Sequence, residues 1–309
     1  MTEYIIETEQ LSKKYKNTFV VQDINMNVEK GKIYGLLGKN GAGKTTTMCM
    51  LLGLTKPTKG SIKLFGLDAL DKKNSKKIYT KIGSIIETPG FYPNLNAKQN
   101  LKIFSKIRGT YNETNIKRVL KLVKLENETE KKFKNYSLGM KQRLGLAASL
   151  IDEPELLILD EPINGLDPAG IIEIRDMLID ITKKLGITVL ISSHILSEIE
   201  ILADEIGIID QGKLIREITK EELEKESTKK VIFKVNNLEL ASKVLNKNNF
   251  TKDVDYTIDD EKLTLLTHLN NRANINEAFV KSGIKVSEIK LNEENLEDYF
   301  MKLIQKEGE

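Results

Sequence analysis

The run KIYGLLGKNGAGKTTTMCMLLGL, residues 32–54, joins an apolar strand to a helix through a glycine-rich loop. Residues 32–38 read as a strand ending in glycine, and the helix beyond is entered through glycines. Inside the run, GKNGAGKT (Gly38 to Thr45) matches G-x-x-x-x-G-K-[ST] in full, with the flanking strand and helix that this pattern requires. Gly38, Gly41 and Gly43 let the backbone curl so that its N–H groups point at phosphate oxygens. Lys44 brings a point charge to β- and γ-phosphates, and the Thr45 hydroxyl is a ligand for Mg²⁺. Asn40 and Thr46, within and just after the loop, complete the candidate contacts to the phosphates.

A second stretch supplies what the loop lacks. LLILDEP, 156–162, is a continuous apolar strand of the kind buried in a parallel sheet, and Asp160 stands at its end. A carboxylate there is costly unless it serves a cation, and Mg²⁺ beside the phosphates is that cation. Glu161 follows at once, in place to polarise an attacking water as general base. His194 ends the strand TVLISSH (188–194), near Asp160 at the carboxyl edge of the sheet, where it can donate a hydrogen bond to the γ-phosphate. His268, after KLTLLT, has no such context and reads as a surface residue.

YSLGMKQRLGLA, 136–147, reads as a helix start in which Ser137, Gly139 and free backbone N–H groups form an anion site. The segment holds no phosphate loop, no metal-ligand pair and no base of its own. From the residues alone, the anion it serves is open.

Around these motifs strands and helices alternate. Strands are expected over 4–9, 18–28, 81–87 and 205–210, a turn followed by a strand over 57–66, and a helical pattern over 97–123, 169–185 and 195–202. The expected fold is therefore α/β, a P-loop NTPase domain over 1–218 with a helical subdomain at about 89–150. TKEELEKESTKK (219–230) reads as a charged linker or exposed helix. Residues 231–309 read as a small C-terminal α+β domain: strand 231–235, helix 237–247, strands 254–258 and 262–267, helix 271–282, strand 286–291 and helix 293–304. That is a βαββαβ order like a ferredoxin-like unit, followed by one further helix.

The bulk numbers exclude several classes. Net charge is +3, too small to imply a nucleic-acid or membrane-surface field. Residues 221–309 carry 14 basic and 18 acidic side chains, so the last third is mildly acidic rather than a basic tail. The single cysteine, Cys49, allows no internal disulfide and suits a reducing compartment. MTEYIIETEQ has no signal-peptide core, and no apolar run approaches the ~18–20 residues of a membrane span. Contact with a membrane is expected only through a partner.

In order along the chain, Tyr15, GKNGAGKTT, SIIETPGFYPNL, YSLGMKQR, LLILDEP, NGLDP and SSHIL resemble the ATP-binding subunits of ABC transporters over residues 1 to about 215. The resemblance implies an ATPase that drives a separate integral-membrane permease from the cytoplasmic face of the cell membrane. It also implies that a second copy packs head to tail, so that Ser137 and Gly139 of one copy touch ATP held by the other. Tyr15 is then expected to stack on adenine, and Asp167 to couple the two sites. Glu87 aligns with the family's loop glutamine, which implies a role in sensing Mg²⁺ and coupling to the permease. Phe91, Tyr92 and Leu95 follow it and are candidates for an apolar pocket for a permease helix. Glu87 and YSLGMKQR together resemble the bacitracin-resistance and lantibiotic self-protection ATPases of Gram-positive bacteria, and NLEDYFMKLI fits that group's tail. Other ABC exporters or importers are the alternative. An ABC ATPase working on nucleic acid or ribosomes fits less well, because the chain has one phosphate loop and no heptad arm; no nucleic-acid partner is expected.

Overall fold

The apolar runs line up as strands in the computed structural model, which describes residues 3–87, 90–128, 130–226, 229–259 and 262–293. Strands β1 (Tyr4–Tyr15), β2 (Thr18–Ile24) and β3 (Asn27–Glu29) lead into β4 (Ile33–Leu37), whose five residues are all buried. Helix α1 (Lys44–Leu51) follows, then β5 (Lys59–Leu64), β6 (Leu67–Asp68), α2 (Ser75–Tyr79) and β7 (Ile82–Ile85). Next come three helices, α3 (Ala97–Arg108), α4 (Glu113–Leu122) and α5 (Leu138–Leu150). The chain returns through β8 (Leu156–Leu159), α6 (Pro168–Leu185), β9 (Thr188–Ser193), α7 (Leu196–Leu202), β10 (Glu205–Asp210) and β11 (Lys213–Thr219). The charged stretch forms α8 (Lys220–Glu226), followed by β12 (Lys229–Val235), α9 (Leu238–Lys247), β13 (Tyr256–Ile258), β14 (Leu263–Leu265), α10 (Arg272–Lys281) and β15 (Val286–Glu293). The chain divides into two units, Met1–Lys220 and Glu221–Glu309.

The first unit is built on a six-stranded sheet of order β11-β10-β4-β9-β8-β7. All its pairings are parallel except β10 with β11. Every residue of β4, β8 and β9 is buried, which is why these strands read as unbroken apolar runs rather than as an alternation. Register matters most at β8 and β9. Leu156 pairs with Thr188 and Leu159 with Ile191, so the next residues along, Asp160 and Ser192, lie side by side at the carboxyl end of β8 and near that of β9. A second, antiparallel sheet runs β2-β1-β5-β6, with β3 also on β1.

Three local readings are corrected. The single strand expected over 18–28 is two, broken after Ile24, with Asp23 at φ 48°. The helical pattern over 97–123 is two helices: Gly109 ends α3 in the left-handed conformation (φ 74°), and the Asn112 side chain caps α4. Strand β11 was not expected. It forms a hairpin with β10 through Gln211 (φ 45°) and Gly212 (φ 82°), two positive φ values in succession as a type I′ turn requires. This turn buttresses the site: Gly212 N–H donates to Ala42 O at 2.9 Å, and Gln22 N–H donates to Gly212 O at 2.7 Å. A Cβ on Gly212 would lie 2.6 Å from Val20 O, so only glycine fits.

The second unit is a four-stranded antiparallel sheet of order β13-β14-β12-β15, with α9 and α10 packed on one face. Its core holds Val231, Phe233, Tyr256, Leu263, Leu265 and Phe279, all buried. The first strand lies between the third and the fourth, which is the ferredoxin-like βαββαβ arrangement. The helix expected over 293–304 lies outside the described residues, as does NLEDYFMKLI.

At the far end of the six-stranded sheet from the phosphate loop, Glu205 begins β10. Burial first, and then the Glu29 carboxylate beside it, push its carboxyl up to about 7. Glu205 therefore stabilises the fold fully only below pH ~4.5, and that contribution is lost as pH rises toward 7. After allowance for solvent screening the loss is about 1–2 kcal/mol. Glu205→Gln should flatten the fall in melting temperature between pH 5 and 8 and exceed the parent protein above pH 7. Parallel curves for the two proteins would refute this.

Candidate functional site

The phosphate loop leaves β4 and enters α1, and its shape depends on two glycines. Gly43 has φ 110°, and a Cβ there would lie 2.8 Å from Val20 O. At Gly38 a Cβ would lie 2.3 Å from Ile209 O. No side chain can be added at either position without moving backbone. The loop opens on a cavity of about 210 Å³ lined by Asn40, Gly41, Gly43, Lys44, Thr45 and Thr46, together with Val20, Glu161 and Asn164. Val20 belongs to no motif and reaches the loop from β2; Asn164, the first residue of NGLDP, carried no expected role and reaches it from the turn after β8.

Lys44 is 5% exposed, and its Nζ donates to Gly38 O (2.7 Å) and Lys39 O (3.2 Å). Glu161 Oε1 lies 3.2 Å from the same nitrogen. On the other side, Glu161 Oε2 is 2.6 Å from His194 Nδ1. Glu161 thus sits between two cationic or proton-bearing groups at the mouth of the loop. Its backbone φ is 49°, a sparsely populated conformation for a residue with a side chain.

Asp160 is 6% exposed. Thr45 Oγ1 donates to its Oδ2 at 2.7 Å, and Ser192 Oγ donates to its Oδ1 at 2.5 Å. Among the described residues no cationic side chain pairs with it. A buried carboxylate held by hydroxyls and lacking a counter-ion is a hard oxygen donor set that fits Mg²⁺, which keeps several waters and takes few protein ligands. Ser192 was not foreseen. Its signal lay in register: Asp160 and Ser192 are one step beyond paired residues of adjacent strands.

Glu87 is exposed, with φ 60°. Burial, then the Asp160 carboxylate, then that of Glu87 push the Cys49 thiol up. Cys49 is accordingly a poor thiolate. Phe91 stacks edge-on against Phe104 (5.1 Å) and Phe133 (5.2 Å), and it lines a groove of about 180 Å³ with Ile85, Ile86, Phe104, Arg108 and Ala148. Tyr92 is half-exposed outside this groove, and Leu95 does not line it.

Ser137 caps α5, its Oγ accepting from Met140 N–H at 3.3 Å. Nothing but Leu166 Cδ2, at 3.9 Å, would meet a Cβ on Gly139, so this helix start stands open. Asp167 caps α6 through Gly170 N–H at 3.2 Å. None of Ser137, Gly139 and Asp167 lines the phosphate-loop cavity, and neither does Tyr15, which is 49% exposed under Lys13. His268 is largely exposed and edge-on to Phe250.

The arrangement can grip a polyphosphate, hold a divalent cation and draw a proton from water. The model of the ABC transporter family matches residues 21–164. The bacitracin transport ATP-binding protein BcrA of Enterococcus faecalis is 49% identical over 302 residues, which is 98% of this chain and 97% of that protein. The lantibiotic transport ATP-binding protein SrtF of Streptococcus pyogenes is 48% identical over 213 residues, 69% of this chain and 90% of that protein. Among solved structures, cbiO1 from Clostridium perfringens, part of the ABC transporter complex cbiONQ, superimposes with a TM-score of 0.66 at 30% identity, over 72% of this chain and 92% of that one. No helix among the described residues is long and apolar enough to cross a membrane.

Proposed function

This chain belongs to the ABC transporter ATP-binding family, and on that premise we propose that the transport its ATP hydrolysis drives is the removal of a peptide antibiotic of the bacitracin type, through a separate permease. One observation carries the cargo assignment. The similarity to the bacitracin transport protein runs over nearly the whole of both chains, the C-terminal unit included, whereas that to the lantibiotic protein covers 69% of this chain. The C-terminal unit therefore goes with the bacitracin type.

In this reading Asn40, Gly41, Gly43, Lys44 and Thr46 hold the phosphates of ATP. Thr45, Asp160 and Glu87 would hold Mg²⁺, which would supply charge neutralisation to the triphosphate. Glu161 takes the proton of the attacking water, and His194, 2.6 Å away, fixes the direction of the glutamate and hydrogen-bonds the γ-phosphate. Tyr15 stacks on adenine. Ser137 and Gly139 complete the site of a second copy, and Asp167 links the two sites. Glu87, Phe91 and Tyr92 face the permease, and through it the chain sits on the inner face of the cell membrane.

Expression of the chain together with its permease in a bacitracin-sensitive host tests the cargo. Resistance that needs both proteins and an intact Lys44 supports the reading; unchanged sensitivity to bacitracin refutes it. Glu87 gives a second expected outcome. A glutamate adds negative charge beside a triphosphate and must be held by the cation or stay back until the site closes. Glu87→Gln is expected to leave ATP binding near that of the parent protein while changing the resistance conferred. Equal resistance in the two forms would dispose of a coupling role for the charge.

A further inference from the structure

We propose that Ser192 is a positioning residue that aims both carboxylates of the site at once, Asp160 at the cation and Glu161 at the water. The proposal rests on the roles given above to those two acids. Ser192 is 0% exposed, and its hydroxyl has two partners. It donates its single proton to Asp160 Oδ1 at 2.5 Å and accepts from Glu161 N–H at 2.9 Å. A hydroxyl has one proton to give, so this geometry fixes its sense. The bond to Asp160 is charge-assisted and of the stronger kind.

Two consequences follow for the acids. Thr45 holds one oxygen of Asp160 and Ser192 the other, so rotation of the carboxylate is restrained while each oxygen keeps acceptor capacity for a cation. The Glu161 N–H, tied to Ser192, anchors a backbone at φ 49° that would otherwise relax. That turn is what delivers the side chain to Lys44 and His194. The neighbouring Ser193 is equally buried but spends its hydroxyl locally, accepting from Ile195 N–H at 2.9 Å. The role therefore belongs to this one position, and strand register creates it.

The test uses the full chain, a fluorescent ATP analogue and MgCl₂. Partners of metal ligands typically change metal affinity or activity by about 10–100-fold when removed. In Ser192→Ala and Ser192→Cys, the Mg²⁺ concentration that half-maximally alters nucleotide affinity is expected to rise by about 10–100-fold, and turnover to fall by a similar factor. Nucleotide binding in EDTA should not change. Cysteine fills the same space with a poor hydrogen-bonding group, so it separates the bond from the packing. A Ser192→Cys protein with the parent Mg²⁺ midpoint and turnover overturns the proposal, as does an equal loss of binding in EDTA. Asp160→Asn is the reference and should remove the Mg²⁺ response. A parent protein that shows no Mg²⁺ response overturns the reading of Asp160 itself, and this proposal with it.

Discussion

Glu161→Gln is expected to lower ATP turnover by about 10²–10⁴-fold, the usual contribution of a general base, while nucleotide binding persists. Glutamine keeps the shape and one acceptor oxygen but cannot take a proton. Glu161 stands 2.6 Å from His194 Nδ1 and 3.2 Å from Lys44 Nζ, so the substitution has a second effect. Lys44 is 5% exposed, and it loses its nearby counter-charge. The loop then presents a less neutralised cation to the triphosphate. Retained or tighter ATP binding should therefore accompany the loss of turnover. Phosphate release and binding of a fluorescent ATP analogue, measured on the same preparation, check both halves. Turnover reduced by less than tenfold would remove Glu161 from the role of base.

Ser137→Arg is expected to cost about 10²–10³-fold in turnover, the scale of losing one preorganised donor group at a developing charge. Ser137 and Gly139 sit at an open helix start and line no part of the phosphate-loop cavity. If each serves a second copy, the defect can be complemented. Lys44→Ala removes the phosphate grip but keeps the helix start. In a mixture of the two inactive proteins, a head-to-tail pair contains one site with both parts intact and one with neither. Regained turnover in the mixture, rising with total concentration, is the expected result. Two defects that simply average, with no regained activity, would place the whole site within one chain.

The parts of the fold legible in the sequence are those where local chemistry and burial agree. Strands β4, β8 and β9 are buried on both faces and announce themselves as apolar runs; Gly38 and Gly43 announce the loop because no other residue fits them. Thr45 and Asp160 were readable as partners because a hydroxyl directly after the loop lysine and a carboxylate at the end of a buried strand both call for a cation. The roles of Ser192 and Val20 were not readable, nor was that of Asn164, although it opens NGLDP. Their positions follow from strand register or from chain segments distant in sequence, and serine, valine and asparagine occur everywhere. Strand β11 was missed because Gln211 leads a turn that usually opens with asparagine or aspartate, and its tie to Ala42 is a backbone contact with no sequence signature. In the helical stretch the apolar spacing of 101–107 resumes at 116–123, so the break between α3 and α4 is marked only by local end signals, Gly109 in the left-handed conformation and Asn112 as a cap.

The strand order β4-β9-β8 has a mechanical consequence. The part that grips phosphate hangs from β4 and the part that activates water hangs from β8, with β9 hydrogen-bonded to both along its length. A ladder of this kind does not stretch, so the gap between grip and base is a constant of the cycle. Movement within this unit is therefore taken up outside these three strands. Helix α5 is packed close on β7, where a Cβ on Gly83 would lie 2.1 Å from Ser149 O, whereas α3 and α4 are held by no strand among the described residues, so displacement within this unit is open to them first.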